Sequence, residues 1–221
     1  VGGLVGFAVG ALLGVAFLEI LPHILRLAER TPGAVGAILF GILGFFVLEK
    51  LFVWRHHHGG LSASEHDAHE VNAQPRSPAL MLLGNAVHNL FDGFFIATAY
   101  FIAPRLGVLT AVAIFAHEFA QQLGDAGPRL KVAGGARDNL TYAATACAAT
   151  MAGALLGYQV LAAWPSALAF ALGGATASML YVAMADLIPS LHQRTDSSAA
   201  MQQIVLIALG VGSIALIGAL L

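Results

Sequence analysis

Two groups of polar side chains stand inside otherwise apolar sequence, and they share a spacing. One lies in Gly84-Asn85-Ala86-Val87-His88-Asn89-Leu90-Phe91-Asp92-Gly93; the other lies in Phe115-Ala116-His117-Glu118-Phe119-Ala120-Gln121-Gln122-Leu123-Gly124-Asp125. His88, Asn89 and Asp92 occupy positions i, i+1 and i+4, and so do His117, Glu118 and Gln121. On a helix, i and i+4 are stacked on one face and i+1 lies about 100° away. Each segment then offers an imidazole and an oxygen on one stripe, with a second oxygen beside it. Two such stripes facing each other surround a cation with nitrogen and oxygen donors. Imidazole suits zinc, iron, copper and nickel, and carboxylate widens the choice towards manganese. Asp92 and Glu118 bring two negative charges, which matches a divalent ion; a carboxylate left unpaired in apolar surroundings would take up a proton instead. The competing reading is an interhelical hydrogen-bond cluster. One spacing repeated on two consecutive segments favours the ion.

The elements that position these groups follow from composition. Of the 221 residues, 58% are hydrophobic and only 10% charged, with a mean hydropathy of +0.81. A water-facing domain carries roughly 25% charged residues, so the solvent of this chain must be lipid. A helix crossing a bilayer needs roughly 20 mostly apolar residues. Seven segments qualify, at about 4–25, 33–54, 79–103, 107–127, 139–163, 166–189 and 201–221. The predicted fold is an all-α polytopic transmembrane bundle, one transport domain over 1–221. Thr31-Pro32-Gly33, Pro104, Gly127-Pro128, Gly134-Gly135 and Trp164-Pro165 punctuate the gaps. Glycines at 2, 3, 6, 10 and 14, and at 153 and 157, are packing positions that let helix backbones approach closely. The single cysteine, Cys147, excludes an intramolecular disulfide and a CxxC metal site. No cleavable signal is expected, because no basic stretch precedes the first apolar residues.

Only one connection is long and polar, about 55–78, and its composition suits a flexible loop. If it is cytoplasmic, Lys50, Arg55, Arg76, Arg129, Lys131, Arg137 and Arg194 fall inside and only Arg26, Arg30 and Arg105 outside, the usual bias. The first residue is then inside and the C-terminus outside. Further ionisable groups mark a path. Glu19 and His23, at i and i+4 around Pro22, could form an entrance; Asp125 and Asp186, with His192 beyond, could line an exit. Helix-end or interfacial roles remain the alternative for each. Glu49 and Lys50 are expected to snorkel at the interface. His56, His57, His58, His66 and His69 could hold metal loosely in the loop, or simply reflect the bias of a solvated segment.

These residues resemble a known family. HNLFDG at 88–93 is similar to the HNxxDG motif of the ZIP (Zrt/Irt-like) metal transporters, and HEFAQQLGD at 117–125 to their HExPHExGD motif. GFAVGALLGVAFLEILP at 6–22, GFFVLEK at 44–50 and GGATASMLYVAMADLIP at 173–189 extend the resemblance over nearly the whole chain. It implies eight spans with both termini outside, transport towards the cytoplasm, and a metal site between the fourth and fifth spans. The seven spans here correspond to the family's second to eighth. Ala120, Gln121 and Gln122 depart from the motif, standing for its proline, second histidine and glutamate. The span at 139–163 adds no Asp or Glu within its apolar stretch, so fewer carboxylates are at hand for a second ion.

The expected activity is transport of a divalent transition metal, zinc foremost, with cadmium, iron or manganese as further candidates. The metal is substrate, and no catalytic cofactor is called for. Gly93 and Gly124 are candidate points of give in an alternating-access cycle. The expected location is a cell (inner) membrane, with the lipid bilayer as partner; a homodimer is compatible with such a chain. No GxxxxGK[ST] motif supplies ATP, and no basic stripe suggests nucleic acid. The alternatives are an intramembrane zinc metalloprotease, whose HExxH would need a histidine at Gln121, and a passive channel.

Overall fold

A computed structural model of the chain describes residues 2–58, 78–130, 135–192 and 197–221. They form seven helices: α1 (Gly2–Ala28), α2 (Gly36–His58), α3 (Pro78–Ile102), α4 (Pro104–Leu130), α5 (Gly135–Ala163), α6 (Pro165–Leu191) and α7 (Ser197–Leu220). The protein is an all-α membrane bundle, as the apolar segments predict. Five of the seven combine the length and apolarity needed to span a bilayer: α1, α5, α6, α7 and the 104–124 part of α4. In α3, Asn85, His88, Asn89 and Asp92 dilute the apolar run. Outward-facing side chains suit lipid: Phe40 is 73% exposed and Phe115 69%, a surface that water would penalise.

The helix ends at His58, Pro78, Leu130, Gly135, Leu191 and Ser197 lie at one end of the bundle, here the loop side. The turn around Gly33 (φ 94°), Ala103 and Trp164 lie at the far side. Two boundaries differ from expectation. The sequence predicts the polar loop from about 55, but α2 continues to His58 because the first helix breaker is Gly59-Gly60. Pro104 does not leave a gap; it opens α4 directly, since the first turn needs no N–H from it.

Three helix pairs cross with glycine at the contact. In α1 against α7, Gly10 and Gly210 meet, and Gly14 faces Val211 and Ile214. In α2 against α6, Gly41 faces Ala177 and Gly174, and Ala37 faces Gly173. In α3 against α5, a Cβ on Gly93 would run into the Thr150 carbonyl, and one on Gly153 into that of Leu90. Gly93 is therefore a close-packing position in this structure, not the point of give that its place in the motif suggested. Numbers rise together across each contact, in α3 against α5 from Leu90 with Gly153 to Phe94 and Ala97 with Gly157, so each pair is parallel. The core lies between α1, α4 and α6, where Leu12, Val15, Ile20, Leu106, Leu109 and Leu172 are fully buried.

α1 and α6 each contain one π-helical stretch, Val15–Ile20 and Val182–Leu187. Each is followed by a proline, Pro22 and Pro189. A proline cannot donate to the carbonyl four residues back and its ring crowds it, here Leu18 and Ala185. Widening the preceding turn by one residue relieves both problems.

Candidate metal centre

α3 and α4 bring His88, Asp92, His117 and Glu118 together. His88 Nε2 lies 3.3 Å from His117 Nε2, 3.5 Å from Asp92 Oδ2 and 3.6 Å from Glu118 Oε1. His117 Nε2 lies 3.3 Å from Asp92 Oδ2 and 3.9 Å from Glu118 Oε1. One ligand atom from each of the four residues lies within 4.8 Å of the others. A zinc ion bound at its usual 2.0–2.2 Å keeps its tetrahedral ligands about 3.4 Å apart along each edge. The five measured separations cluster about that edge length. Asp92 and His117 are almost fully buried, and among the described residues the inner oxygens Asp92 Oδ2 and Glu118 Oε1 accept no hydrogen bond. Four lone-pair donors converging in a dry setting are stable only with positive charge among them.

The two helices use different spacings. α3 contributes its stacked i, i+4 pair, His88 and Asp92. α4 contributes adjacent residues, His117 and Glu118. Gln121, one turn further along α4, donates its amide N–H to Asp186 of α6 at 2.6 Å. Asn89 points sideways to α5: its amide nitrogen bonds the Asn85 carbonyl at 3.0 Å, and its oxygen accepts from the Thr150 hydroxyl at 3.1 Å. Neither Gln121 nor Asn89 is free of other partners. Thr150 carries no charge and belongs to no motif, so nothing in the sequence marked it.

On the loop side of the cluster lies a cavity of about 360 Å³, lined among others by Asn85, Gln121, Gln122, Tyr142, Asp186 and Ser190. Asn85 and Gln121 sit one helical turn from His88 and His117, roughly 5 Å along the axis. On the far side, Phe95, Ala99, Leu109 and Ala113 are buried. The cluster is thus closed on one side by packed apolar groups and approached on the other through a polar cavity.

The remaining candidates are scattered. Glu19 forms an ion pair with Arg105 at 3.0 Å, and His23 shares a hydrogen bond with the Glu19 carbonyl at 2.7 Å. Asp186 is at the cavity; His192 is exposed just past α6. Asp125 lies on α4, and His56, His57 and His58 on the last turn of α2, but their side chains are outside the described residues, as are His66 and His69 altogether. Glu49, expected to snorkel, accepts a hydrogen bond from Tyr181 of α6, and Lys50 lies 5.5 Å over the Phe46 ring.

Residues 53–218 match the family profile described as ZIP Zinc transporter. The chain is 30% identical to zinc transporter ZIP13 of Pongo abelii, an alignment covering 94% of this chain and 64% of that protein. It is 27% identical to zinc transporter ZIP4 of Homo sapiens over 86% of this chain and 38% of that one. To zinc transporter YKE4 of Saccharomyces cerevisiae it is 26% identical, over 55% and 38%. The chain spans about two thirds of the first relative's length and much less of the others'. With a profile match over most of its residues and both metal-motif segments inside it, this chain belongs to the ZIP zinc transporter family.

Proposed function

We propose that the protein carries divalent metal ions, zinc foremost, across a cell membrane through the cluster of His88, Asp92, His117 and Glu118. The observation that carries this reading is the set of separations between ring nitrogens and carboxylate oxygens, which approximate the edges of a zinc tetrahedron. Two carboxylates neutralise the ion's charge, and two imidazoles keep the site weaker than a four-thiolate one, as release requires. Asn89 and Gln121 complete the surroundings: Asn89 fixes α3 against α5, and Gln121 stands where the ion would leave. Asp186, at the cavity, lies on that route, and Asp125 is read as a further exit residue on α4. The loop with the five histidines is read as cytoplasmic, so movement through the cavity is towards the cytoplasm, and access alternates between the two sides.

Gln121 also argues against a zinc protease. It occupies the second-histidine position of HExxH, and its N–H is committed to Asp186. The relatives' printed names point the same way, since all three are zinc transporters.

The test is radiometal uptake into proteoliposomes. His88→Ala, Asp92→Ala and His117→Ala should each nearly abolish zinc and cadmium uptake while the protein still purifies as a folded species. Near-normal uptake by the His88→Ala, Asp92→Ala double variant would overturn the assignment.

A further inference from the structure

α1 and α6 are two copies of one element, running in opposite directions. Aligning VAFLEI at 15–20 with VAMADL at 182–187 pairs Glu19 with Asp186 and Pro22 with Pro189. It also pairs Ala8 with Ala175, Leu12 with Met179, Ile20 with Leu187 and Ile24 with Leu191, all buried. Each acid is the fifth residue of its π-helical stretch, and each reaches the same helix, α4, at a different end. Glu19 holds Arg105, the second residue of α4; Asp186 holds Gln121. Sixteen residues separate those two partners in sequence, roughly 24 Å along the helix. His117 and Glu118 lie between them.

The two ends are not equal. At the far side the partner is a cation, and the pair has a prepared seat: the Cβ of any side chain at Gly218 of α7 would lie 2.6 Å from Glu19 Oε1 and 3.0 Å from Arg105 Nη2. At the loop side the partner is a neutral amide in the wall of the cavity. Both contacts end on a carboxylate, but only the Glu19–Arg105 pair adds the attraction of two opposite unit charges to its hydrogen bond. The stripe of α4 that carries His117 continues to the far side through Ala113 and Thr110, both fully buried, and the Thr110 hydroxyl has no hydrogen-bond partner among the described residues. A buried hydroxyl on that stripe has no packing advantage; it is what a path that is wetted at times would carry.

We infer that Glu19 and Asp186 are equivalent positioning residues at opposite ends of α4, and that their unequal partners, Arg105 and Gln121, keep the far side of the metal cluster shut at rest. The inference rests on the transport reading, because shutting one side has a purpose only if the other opens in turn.

The experiment uses single-cysteine reporters in the Cys147→Ser background, which removes the protein's only thiol. Thr110→Cys is close in volume to the native residue, and Ala113→Cys lies one turn nearer the cluster. Proteoliposomes are treated from the far side with a membrane-impermeant thiosulfonate. Glu19→Gln and Arg105→Gln should each raise the labelling rate about fivefold, the size expected for a single partly exposed ion pair. Gly218→Val, which displaces the pair without removing a charge, should do the same. The exchanged pair Glu19→Arg, Arg105→Glu should return labelling to the parent rate. Asp186→Asn should leave far-side labelling unchanged. Zinc affinity in detergent, by equilibrium dialysis, should change less than threefold in the Glu19, Arg105 and Gly218 variants, whereas maximal uptake should change.

Unchanged labelling in both Glu19→Gln and Arg105→Gln, in proteins that elute like the parent, would overturn the inference, as would failure of the exchanged pair to restore it. Labelling needs no transport, so the two readings fail separately. Normal uptake by the His88→Ala, Asp92→Ala protein removes the transport site and leaves the labelling result standing; abolished uptake there with unresponsive labelling removes the clasp alone.

Discussion

Substituting Gln121→Glu asks whether residue 121 faces the ion alone or the acid of α6 as well. The amide nitrogen is 2.6 Å from Asp186 Oδ2, so the introduced carboxylate would place a second negative oxygen there in place of a donor. Two unit charges at that distance repel by about 1.6 kcal/mol in water and about 6 kcal/mol at an effective dielectric of 20. Gln121 is half-buried and Asp186 exposed at the cavity, so the lower figure is the safer guide. It corresponds to about a fifteenfold change in an equilibrium constant. The new pair needs a proton or a metal ion between its oxygens. Above neutral pH, protons are scarce and a divalent ion fills that role, creating a second resting place on the way out. Binding the ion better there, without stabilising the crossing barrier, does not raise the maximal rate. The expected result is therefore tighter zinc binding, one more bound ion per chain in equilibrium dialysis, and a maximal uptake about fifteenfold lower at pH 8, the magnitude just given. The reasoning is refuted if stoichiometry and uptake match the parent across pH while Glu118→Gln disables transport; residue 121 would then face neither the ion nor Asp186.

Three further outcomes follow from the packing. Replacing His56, His57, His58, His66 and His69 with serine should leave folding and most uptake intact, since all four cluster ligands come from α3 and α4; complete loss of uptake in a folded protein would make the loop part of the obligatory path. Gly153→Leu should separate α3 from α5 and cost about 1–3 kcal/mol, as overpacking does. Thermal unfolding in detergent would show it, whereas Gly212→Ala, with open space around it, should be nearly neutral. Thr150→Val removes the hydrogen bond to Asn89 Oδ1 and should weaken zinc affinity about tenfold if Asn89 steadies the α3 ligands, the scale of a lost supporting contact; unchanged affinity would make that bond structural only.

Much of this arrangement was legible in the residues. Apolar run lengths gave the seven helices, because a bilayer leaves a spanning segment little choice of length. The shared spacing of His88 and His117 pointed to one site, and four of the six residues it nominated form the cluster. The same spacing misled at i+4 of α4: stripe logic is local to one helix, whereas Gln121 answers to Asp186, 65 residues away. Glu19 looked like an entrance ligand for the same reason, since its partner Arg105 is 86 residues distant and read as an ordinary end-of-span charge. Gly93 was legible as special but not in which way; a glycine that lets a helix bend and one that admits a neighbour's backbone are the same letter. The prolines at 22 and 189 were visible, yet the widened turns before them depend on how each helix resolves its lost hydrogen bond.

The crossed pairing of the outer helices bears on how the chain is made. α1 and α2 are joined by a short turn, but α1 packs on α7 and α2 on α6, and neither packs substantially on the other. The glycine-lined face of α1, with Gly10 and Gly14, has no partner until α7 has been synthesised. Some 170 residues separate the end of one from the start of the other, about 10–30 s at ordinary elongation rates. For that interval two helices with small-residue faces stay in the bilayer, open to neighbouring chains. Assembly is therefore settled late, when α6 and α7 arrive to claim α2 and α1. A truncation within the last helix should show itself as a protein that inserts normally and is then degraded, rather than as one that transports slowly.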